Sequence, residues 1–339
     1  MTQNQRIDAF VALGELIGQM PESLQELIER AAYKNHWYTV ENSKKQLAAI
    51  AENLQKESLT HWLSQYPATA GTSSKKVGLI LAGNIPLVGF HDILAVLIAG
   101  FTAQIKLSSD DAGLTPFLLE SLIALEPAFA SKIEVVDRLA QFDLIIATGS
   151  DNSARYFEHY FGKQPHIIRK NRNSVAILTG KETKEELHQL GADIFDYFGL
   201  GCRSVSKCYV PEGYDVAHLY EGITAYEPIR DHYKYSNNYD YNKSIYLINR
   251  DKHFDNGFLL LKEDEKLASP LAVVFYETYK DLASLTEKLN AQADKIQCIV
   301  SQATISSDIP TFRLGGSQCP SLTDYADGVD TMAFLSAQY

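Results

Sequence analysis

The sequence predicts an α/β protein built on parallel sheets. From residue 77 onward, short apolar runs alternate with segments of helical periodicity. A repeated order of strand, helix and strand is typical of a parallel sheet with helices on both faces. The runs predict strands at residues 77–81, 103–107, 133–136, 144–147, 166–168 and 175–178, and helices at 91–100, 115–125 and 152–161.

A second region of the same kind follows, so we predict two domains. The chain of 339 residues is long enough for two cores. We place the boundary near residue 180, with N-terminal helices and the first sheet in residues 1–180 and a second α/β domain with the C-terminal tail in 181–339. Residues 67–76, rich in Ala, Gly, Thr and Ser, predict a connector after the N-terminal helices.

The second region contains a polar segment among its regular elements. Residues 227–243 are polar and rich in Tyr, which predicts a loop. The remaining segments predict helices at residues 185–198, 216–226 and 281–293 and strands at 206–210, 244–248, 273–276 and 296–300. Parallel sheets bind ligands at the carboxyl ends of their strands, so we look for site residues there.

The composition disfavours some classes of partner. Thirty-one basic and 42 acidic residues give a formal charge of −11, and binding nucleic acid or anionic membranes requires clustered basic side chains. Residues 1–10 show no signal peptide. Residues 78–101 are apolar enough to be considered as a membrane helix, but Asn84, Pro86 and His91 interrupt them and predict a strand, a turn and a helix. We expect a cytoplasmic protein without a membrane span.

The cysteine pattern predicts thiols and no metal site. No Cys-x-x-Cys pair occurs, no histidines gather at ligand spacing, and large cytoplasmic chains keep cysteines reduced. The cysteines are Cys202, Cys208, Cys298 and Cys319. Cys202 follows a Gly-Leu-Gly run and precedes Arg203 and a predicted strand. This setting favours an accessible, reactive thiol, whereas an isolated Cys is more often inert and buried.

At two other strand ends the chain turns directly into a helix. Gly83-Asn84-Ile85-Pro86 follows the first predicted strand, and Gly149-Ser150 follows the fourth. A Gly-Ser pair lets backbone N–H groups approach a phosphate at the positive end of a helix. Ser150 as an ordinary N-cap explains the pair equally well, and both interpretations stay open.

In their order and spacing, these motifs resemble those of the aldehyde dehydrogenase superfamily over residues 77–300. The resemblance implies a Rossmann-type dinucleotide-binding domain followed by a catalytic domain. It also implies that Cys202 is the nucleophile and that Asn84 binds the oxyanion. Lys106 matches the Lys that holds the adenosine ribose, and Glu265 lies one residue from the register of a second ribose-binding residue. The implied cofactor-binding residues are Gly83, Pro86, Lys106, Ser109, Gly149, Ser150 and Glu265.

More narrowly, the chain is similar to the acyl-CoA reductases typified by the bacterial bioluminescence fatty acid reductase. The similarity lies in Gly316-Ser317-Gln318-Cys319-Pro320 and the residues after it. It implies a fatty acyl-CoA or other acyl thioester as substrate, a partner subunit that donates the acyl group, and a homo-oligomer. The connector at 67–76 is too short for the oligomerising hairpin of the superfamily, so the order of the oligomer stays open.

Two departures from the superfamily pattern favour reduction with NADPH. Aldehyde-oxidising members have a water-activating Glu 34 residues before the nucleophile, where this chain has Ile168. Members that prefer NAD have a Glu three residues after the ribose-binding Lys, where this chain has Ser109. The missing carboxylate would otherwise repel a 2′-phosphate. We therefore predict an acyl-CoA reductase that uses NADPH, with NADH less favoured.

Three alternatives stay open. The first is an aldehyde dehydrogenase, and the second is an acyltransferase or thioesterase that uses Cys202 without hydride transfer. The third is a non-catalytic subunit, which the joint presence of Cys202 and Asn84 disfavours. Arg169 and Arg172 either face the substrate or lie on the surface.

Overall fold

A computed structural model describes residues 1–67 and 71–339, which form two compact units. Unit 1 consists of Met1–Asn171 and Ser321–Tyr339, and unit 2 consists of Arg172–Pro320. Residues 68–70, which are part of the predicted connector, lie outside the described residues.

Unit 1 begins with helices. They are α1 (Gln3–Gln19), α2 (Glu22–Lys34), α3 (Val40–Asn53) and α4 (Lys56–Leu63). Thr2 starts α1 with a capping box, in which its hydroxyl accepts from the Gln5 N–H and the Gln5 side chain accepts from the Thr2 N–H. The helices bury apolar side chains such as Phe10, Leu13 and Ile28 in the core of unit 1.

Unit 1 continues with alternating strands and helices. They are β1 (Lys76–Ile80), α5 (Phe90–Ile98), β2 (Thr102–Lys106), α6 (Leu114–Leu125), β3 (Ile133–Val135), β4 (Leu144–Thr148), α7 (Asp151–Phe161) and β5 (His166–Arg169). The strands pair in the order β3-β2-β1-β4-β5, and these pairs are parallel. The α/β prediction is confirmed, and the strand order reverses between β1 and β4.

Unit 2 has a sheet of its own. Its elements are β6 (Asn173–Ile177), α8 (Lys184–Phe195), β7 (Val205–Pro211), α9 (Val216–Gly222), α10 (Tyr233–Asn249), β8 (Phe254–Asp255), β9 (Leu260–Glu263), β10 (Val273–Tyr279), α11 (Leu282–Asn290), β11 (Ile296–Ser301) and β12 (Thr311–Phe312). The order is β12-β11-β6-β7-β10-β9-β8, parallel except between β8 and β9.

The structure divides the chain differently from the predicted domains 1–180 and 181–339. The prediction gave β6 to the first sheet, but β6 pairs with β7 and β11, so unit 2 begins at Arg172. The reason is that the sequence of a short apolar strand does not indicate which sheet the strand joins. The boundary therefore falls between β5 and β6.

The C-terminal segment 321–339 belongs to unit 1 and not to the second domain. It ends in α12 (Thr331–Ser336), and Leu322, Met332 and Leu335 are buried in the core of unit 1. The Tyr325 hydroxyl accepts from Trp62 Nε1 at 2.6 Å. Burial of these apolar side chains explains why the segment returns to the first unit.

The predicted loop at 227–243 and the predicted strand at 244–248 are wrong, because α10 occupies most of the first segment and all of the second. Tyr235, Tyr239, Asn242 and Tyr246 recur at helical spacing and are buried. The polar ends of the first three have partners: the Tyr235 and Tyr239 hydroxyls donate to the carbonyl of Phe258 at 2.9 Å and to Asp255 Oδ1 at 2.6 Å, and Asn242 Nδ2 donates to the carbonyl of Leu271 at 2.9 Å. Tyrosine can bury its ring when its hydroxyl is bonded, so a Tyr-rich polar segment forms a well-packed helix.

Arg169, at the end of β5, is buried in unit 1. Its guanidinium pairs with Asp92 of α5 and donates to Thr331 Oγ1 of α12 at 2.9 Å. The Arg169 and Asp92 side chains are each 6% exposed. The interpretation that places Arg169 on the surface is therefore wrong.

No helix in the described ranges 1–67 and 71–339 has the length and apolar character needed to span a bilayer. Residues 78–101 form the end of β1, a turn and α5. Helix α5 has nine residues, whereas a spanning helix needs about 20.

Removing one partner of the buried Arg169–Asp92 pair should destabilise unit 1. In Asp92→Ala the Arg169 charge loses its counter-ion inside the protein, and we expect a loss of about 3–5 kcal/mol in the free energy of unfolding. Urea unfolding followed by circular dichroism measures this loss. The control is Asp8→Ala, which breaks an exposed ion pair with Lys56 and should cost less than about 1 kcal/mol. Equal losses in the two variants would contradict the argument.

Candidate functional site

The carboxyl ends of β1, β2 and β4 meet at one edge of the unit 1 sheet, where the strand order reverses. Ile80 of β1 pairs with Lys106 of β2 on one side and with Ala147 of β4 on the other. Neighbouring strands lie about 4.8 Å apart, so the structure brings together the segments that carry Asn84, Lys106 and Gly149. A reversal of this kind is where open α/β sheets bind ligands.

The loop after β1 is held from two sides. The buried Tyr38 hydroxyl donates to the carbonyl of Gly83 at 2.9 Å, and a Cβ on Gly83 would overlap the Ser108 hydroxyl. Burial raises the pKa of Tyr38 above its usual value, so the hydroxyl keeps its proton and continues to donate. Pro86 is buried and the Asn84 side chain is exposed. The loop is a fixed support that presents Asn84 to solvent.

Lys106, Ser109 and Asp110 are exposed where the chain leaves β2. The next carboxylate, that of Asp111, is engaged elsewhere, because its Oδ1 accepts from two backbone N–H groups at the start of α6, at 3.1 and 3.2 Å. The segment therefore places one exposed cation and one exposed neutral side chain at the end of β2, followed by the Asp110 carboxylate.

Ser150 is the N-cap of α7, which is the simpler interpretation of the Gly-Ser pair. Its hydroxyl accepts from the Ser153 N–H at 3.3 Å. Gly149 is required by close packing, since a Cβ there would lie 2.8 Å from Ser153 Cβ and 2.9 Å from the Phe157 ring. The cap is compatible with phosphate binding, because the first turn of a helix has further N–H groups without intrahelical partners.

In unit 2, a strained segment leads from α8 to Cys202. Tyr197, Phe198 and Gly199 have φ values of 52°, 59° and 77°, a left-handed conformation that costs a residue other than Gly about 1–2 kcal/mol. The side chains of Tyr197 and Phe198 are buried, and the Phe198 ring centroid lies 4.2 Å from that of His232. Packing of these rings holds the reversal that places the Cys202 thiol in an exposed turn.

Hydrogen bonds fix the backbone on both sides of Cys202. The Ser204 N–H donates to the carbonyl of Gly201 at 3.0 Å, and the hydroxyl of Ser174, on β6, donates to the carbonyl of Cys202 at 2.9 Å. The Ser204 hydroxyl in turn accepts from Gln318 Nε2 at 3.3 Å. The turn is therefore tied both to the sheet and to the segment around Gln318.

Asp193 of α8 is a buried carboxylate that the sequence analysis missed. It accepts from the N–H groups of Gly315 and Ser317, at 2.6 and 3.0 Å, and from the Ser317 hydroxyl at 2.7 Å. Burial raises the pKa of Asp193, and the hydrogen bonds from Ser317 and Gly315 oppose that rise. The available signal was the Gly316-Ser317-Gln318 motif, whose partner on α8 the sequence does not mark.

The four thiols fall into two classes. Cys202 and Cys319 are exposed, and Cys208 and Cys298 are buried. Burial raises the pKa of Cys208 to about 12 and that of Cys298 to about 11, so both stay protonated at neutral pH. Exposure alone therefore leaves two candidates for a reactive thiol, and the rigid glycine-flanked turn distinguishes Cys202 from Cys319.

Glu265 lies in the segment between β9 and β10, and its side chain is exposed. Its carbonyl accepts from the buried Lys207 Nζ at 2.9 Å, and Lys207 also pairs with Glu277 at 2.7 Å. These contacts fix the main chain at Glu265 and do not involve its carboxylate. A role in cofactor binding stays a prediction.

Two other positions singled out in the sequence are now placed. Ile168 is half-buried on β5, where it pairs with Ala147. Arg172 donates to the carbonyls of Ala293 and Ile296 at 3.4 Å each. Arg172 is thus anchored to the main chain of unit 2.

Comparison with known proteins gives a family. The family model described as acyl-CoA reductase (LuxC) matches residues 22–221, more than half of the 339-residue chain. The matched span includes Asn84, Lys106, Gly149 and Cys202. No curated protein sequence matches the chain.

Solved structures give the fold. An NADP-dependent enzyme from E. coli has a TM-score of 0.69 at 14% identity, over 93% of this chain and 78% of its own. Aldehyde dehydrogenase 21 from Physcomitrella patens, in complex with succinate, has a TM-score of 0.70 at 12% identity, over 99% and 84%. An NAD-dependent benzaldehyde dehydrogenase from Corynebacterium glutamicum has a TM-score of 0.68 at 13% identity, over 92% and 81%. At these identities the likeness concerns the fold, and it confirms the aldehyde dehydrogenase-like prediction.

The difference in burial predicts which thiols react. At pH 8 we expect iodoacetamide to modify Cys202 and Cys319 in the native protein, and all four cysteines after unfolding in guanidinium, because Cys208 and Cys298 are buried and little ionised. Intact mass and peptide mapping count the modified thiols. Labelling of Cys208 or Cys298 in the native protein at the rate of Cys202 would contradict the prediction.

Proposed function

The chain belongs to the acyl-CoA reductase (LuxC) family, and on that premise we propose that it reduces a fatty acyl-CoA to the aldehyde with NADPH. As a member of this family it is an oxidoreductase that acts on acyl or aldehyde groups. The observation that carries the proposal is the exposed Cys202 thiol on a turn whose backbone is hydrogen-bonded on both sides. A thiol held in this way suits an acyl-accepting nucleophile.

The proposed reaction begins at Cys202. Its thiolate attacks the thioester carbonyl, and the Cys202 N–H stabilises the oxyanion. The resemblance to the aldehyde dehydrogenase superfamily assigns the second oxyanion donor to the Asn84 amide. Loss of one such donor typically raises a barrier by about 3–4 kcal/mol. Collapse of the tetrahedral species forms acyl-Cys202 and releases coenzyme A as a thiolate, a leaving group that needs no strong general acid.

The edge of the unit 1 sheet fits a dinucleotide. The strand reversal between β1 and β4, the closely packed Gly83 and Gly149 and the exposed Lys106 support this assignment. We assign the pyrophosphate to Gly149 and Ser150 and the adenosine ribose to Lys106, and Gly83 and Pro86 shape the adjacent loop. Glu265 is assigned to the second ribose on the resemblance alone. When bound, the nicotinamide supplies the hydride that converts the acyl group to the aldehyde.

Two residues favour reduction and NADPH over the alternatives. Ile168 offers no carboxylate to activate water, so acyl-Cys202 persists until hydride or a thiol reaches it. Ser109 places no carboxylate beside a 2′-phosphate. The structural relatives include both NADP-dependent and NAD-dependent enzymes, which supports a nicotinamide cofactor without choosing between NADPH and NADH.

The acyl donor and the oligomer are carried over from the resemblance, and the location from the sequence pattern. The acyl group comes from free acyl-CoA or from a partner subunit that donates it. The protein acts as a homo-oligomer in the cytoplasm, where its thiols stay reduced.

The first test separates Cys202 from the other exposed thiol. Incubation with a fatty acyl-CoA and no NADPH should add one acyl mass to the wild type and to Cys319→Ala, and none to Cys202→Ala. Adding NADPH should then remove the adduct and release aldehyde, which gas chromatography measures.

An adduct that persists in Cys202→Ala would overturn the proposed nucleophile. Release of fatty acid at the same rate with or without NADPH would instead identify a thioesterase.

The second test concerns the cofactor. Ser109→Glu adds a carboxylate beside the proposed site of the 2′-phosphate, and we expect kcat/KM for NADPH relative to NADH to fall roughly tenfold, equivalent to about 1.4 kcal/mol. Ser131→Glu is the control, because Ser131 precedes β3 at the opposite edge of the parallel sheet. An unchanged ratio in Ser109→Glu would refute the role of Ser109.

A further inference from the structure

Ser174 is a buried polar residue that supports the turn at Cys202 and takes part in no step of the proposed reaction. It lies on β6 and is 0% exposed. Its Oγ lies 2.9 Å from the carbonyl oxygen of Cys202 and 3.1 Å from the sulfur of Cys298 on β11. A single hydroxyl thus connects the proposed nucleophile to a second, buried thiol.

The direction of these hydrogen bonds follows from the groups involved. A carbonyl oxygen can only accept, so the one hydroxyl proton of Ser174 goes to Cys202. The remaining contact then requires the Cys298 S–H to donate to Ser174 Oγ. Burial raises the pKa of Cys298 to about 11, which keeps that proton on the sulfur. The chain of donors runs from Cys298 through Ser174 to the carbonyl of Cys202.

This bond holds the peptide plane that follows Cys202. The plane that precedes it is held separately, because the Gly201 carbonyl accepts from the Ser204 N–H at 3.0 Å. In a trans peptide the N–H points opposite to the carbonyl. The hydrogen bond from the Ser204 N–H to the Gly201 carbonyl therefore also sets the direction of the Cys202 N–H. With both planes held, φ and ψ of Cys202 are set, and so are the directions of its thiol-bearing Cα–Cβ bond and of its N–H.

We propose that Ser174 is a positioning residue for Cys202. The Ser174 hydroxyl fixes the backbone of Cys202 so that its sulfur can attack the thioester carbonyl while its N–H binds the oxygen of the same carbonyl. This proposal rests on the proposed function, since it concerns the geometry of acyl transfer to Cys202. Attack on a carbonyl needs the sulfur and the oxyanion donor aligned together, whereas alkylation needs only an accessible thiolate. Loss of Ser174 therefore slows the first reaction and spares the second.

The experiment compares two rates at the same sulfur. For the 339-residue protein, stopped samples analysed by peptide mass give the rate of Cys202 acylation by a fatty acyl-CoA and the rate of its alkylation by iodoacetamide. In Ser174→Ala we expect acylation to fall by about 10- to 100-fold, a typical effect of misplacing a reacting group. Alkylation should stay within about threefold of wild type. If Ser174→Ala only loosened the turn, alkylation would stay unchanged or become faster and acylation would not be selectively slowed. That result would overturn the positioning role.

Ser301→Ala is the matched control. Ser301, on β11, is also buried and donates to a main-chain carbonyl, that of Ile177 on β6, at 2.8 Å. Its removal takes away a buried hydroxyl-to-carbonyl hydrogen bond of the same kind from the same sheet, and both rates should stay near wild type. If Ser174→Ala does not fold, Ser174→Cys replaces the hydroxyl by a weaker donor of similar size, and the ratio of acylation to alkylation should still fall several-fold.

The outcomes are distinguishable from failure of the proposed function. If wild-type Cys202 takes up no acyl group, the acyl-cysteine mechanism fails, and the proposal falls with it. If wild type is acylated and the ratio in the folded Ser174 variant equals that of wild type, the mechanism stands and the positioning role is overturned. A similar fall in Ser301→Ala would also overturn it, because the effect would then belong to any lost hydrogen bond in this sheet.

Discussion

Parallel pairing of the strands in unit 1 determines where the loops of its site lie. Since every strand of a parallel sheet runs the same way, the residues that follow β1, β2 and β4 all leave the sheet at one edge. The reversal of strand order next to β1 then sends successive helices to different sides, which opens space between the first loops. The segments that carry Asn84, Lys106 and Gly149 are separate in the chain, and this pairing brings them to the same edge of the sheet.

In unit 2, the turn at Cys202 is positioned by strained backbone and buried contacts. Tyr197 and Phe198 adopt a left-handed backbone conformation that residues other than Gly rarely adopt. Packing of their rings compensates for the strain. Asp193 holds the segment at Ser317 through a buried carboxylate. Contacts within unit 2 offset the backbone strain and hold the turn in one conformation. A preorganised nucleophile requires such an arrangement.

The sequence predicts the parts of this protein that depend on local pattern. Apolar runs and helical periodicity locate β1 to β5, and the Gly-Ser and Gly-Cys pairs mark two turns. Local pattern fails where the deciding partner is distant. Helix α10 was missed because buried tyrosines look polar until the acceptor of Tyr235, the carbonyl of Phe258, is known. Ser174 and Asp193 are single polar residues in ordinary elements, and their partners lie far along the chain.

The return of segment 321–339 to unit 1 has a consequence for synthesis on the ribosome. Domains tend to fold as they emerge, N-terminal first, but the core of unit 1 includes Leu322, Met332 and Leu335. All of unit 2 is translated before these residues exist. The nascent first unit must therefore wait, with part of its apolar surface uncovered and Arg169 without Thr331, until translation has passed through the whole of unit 2.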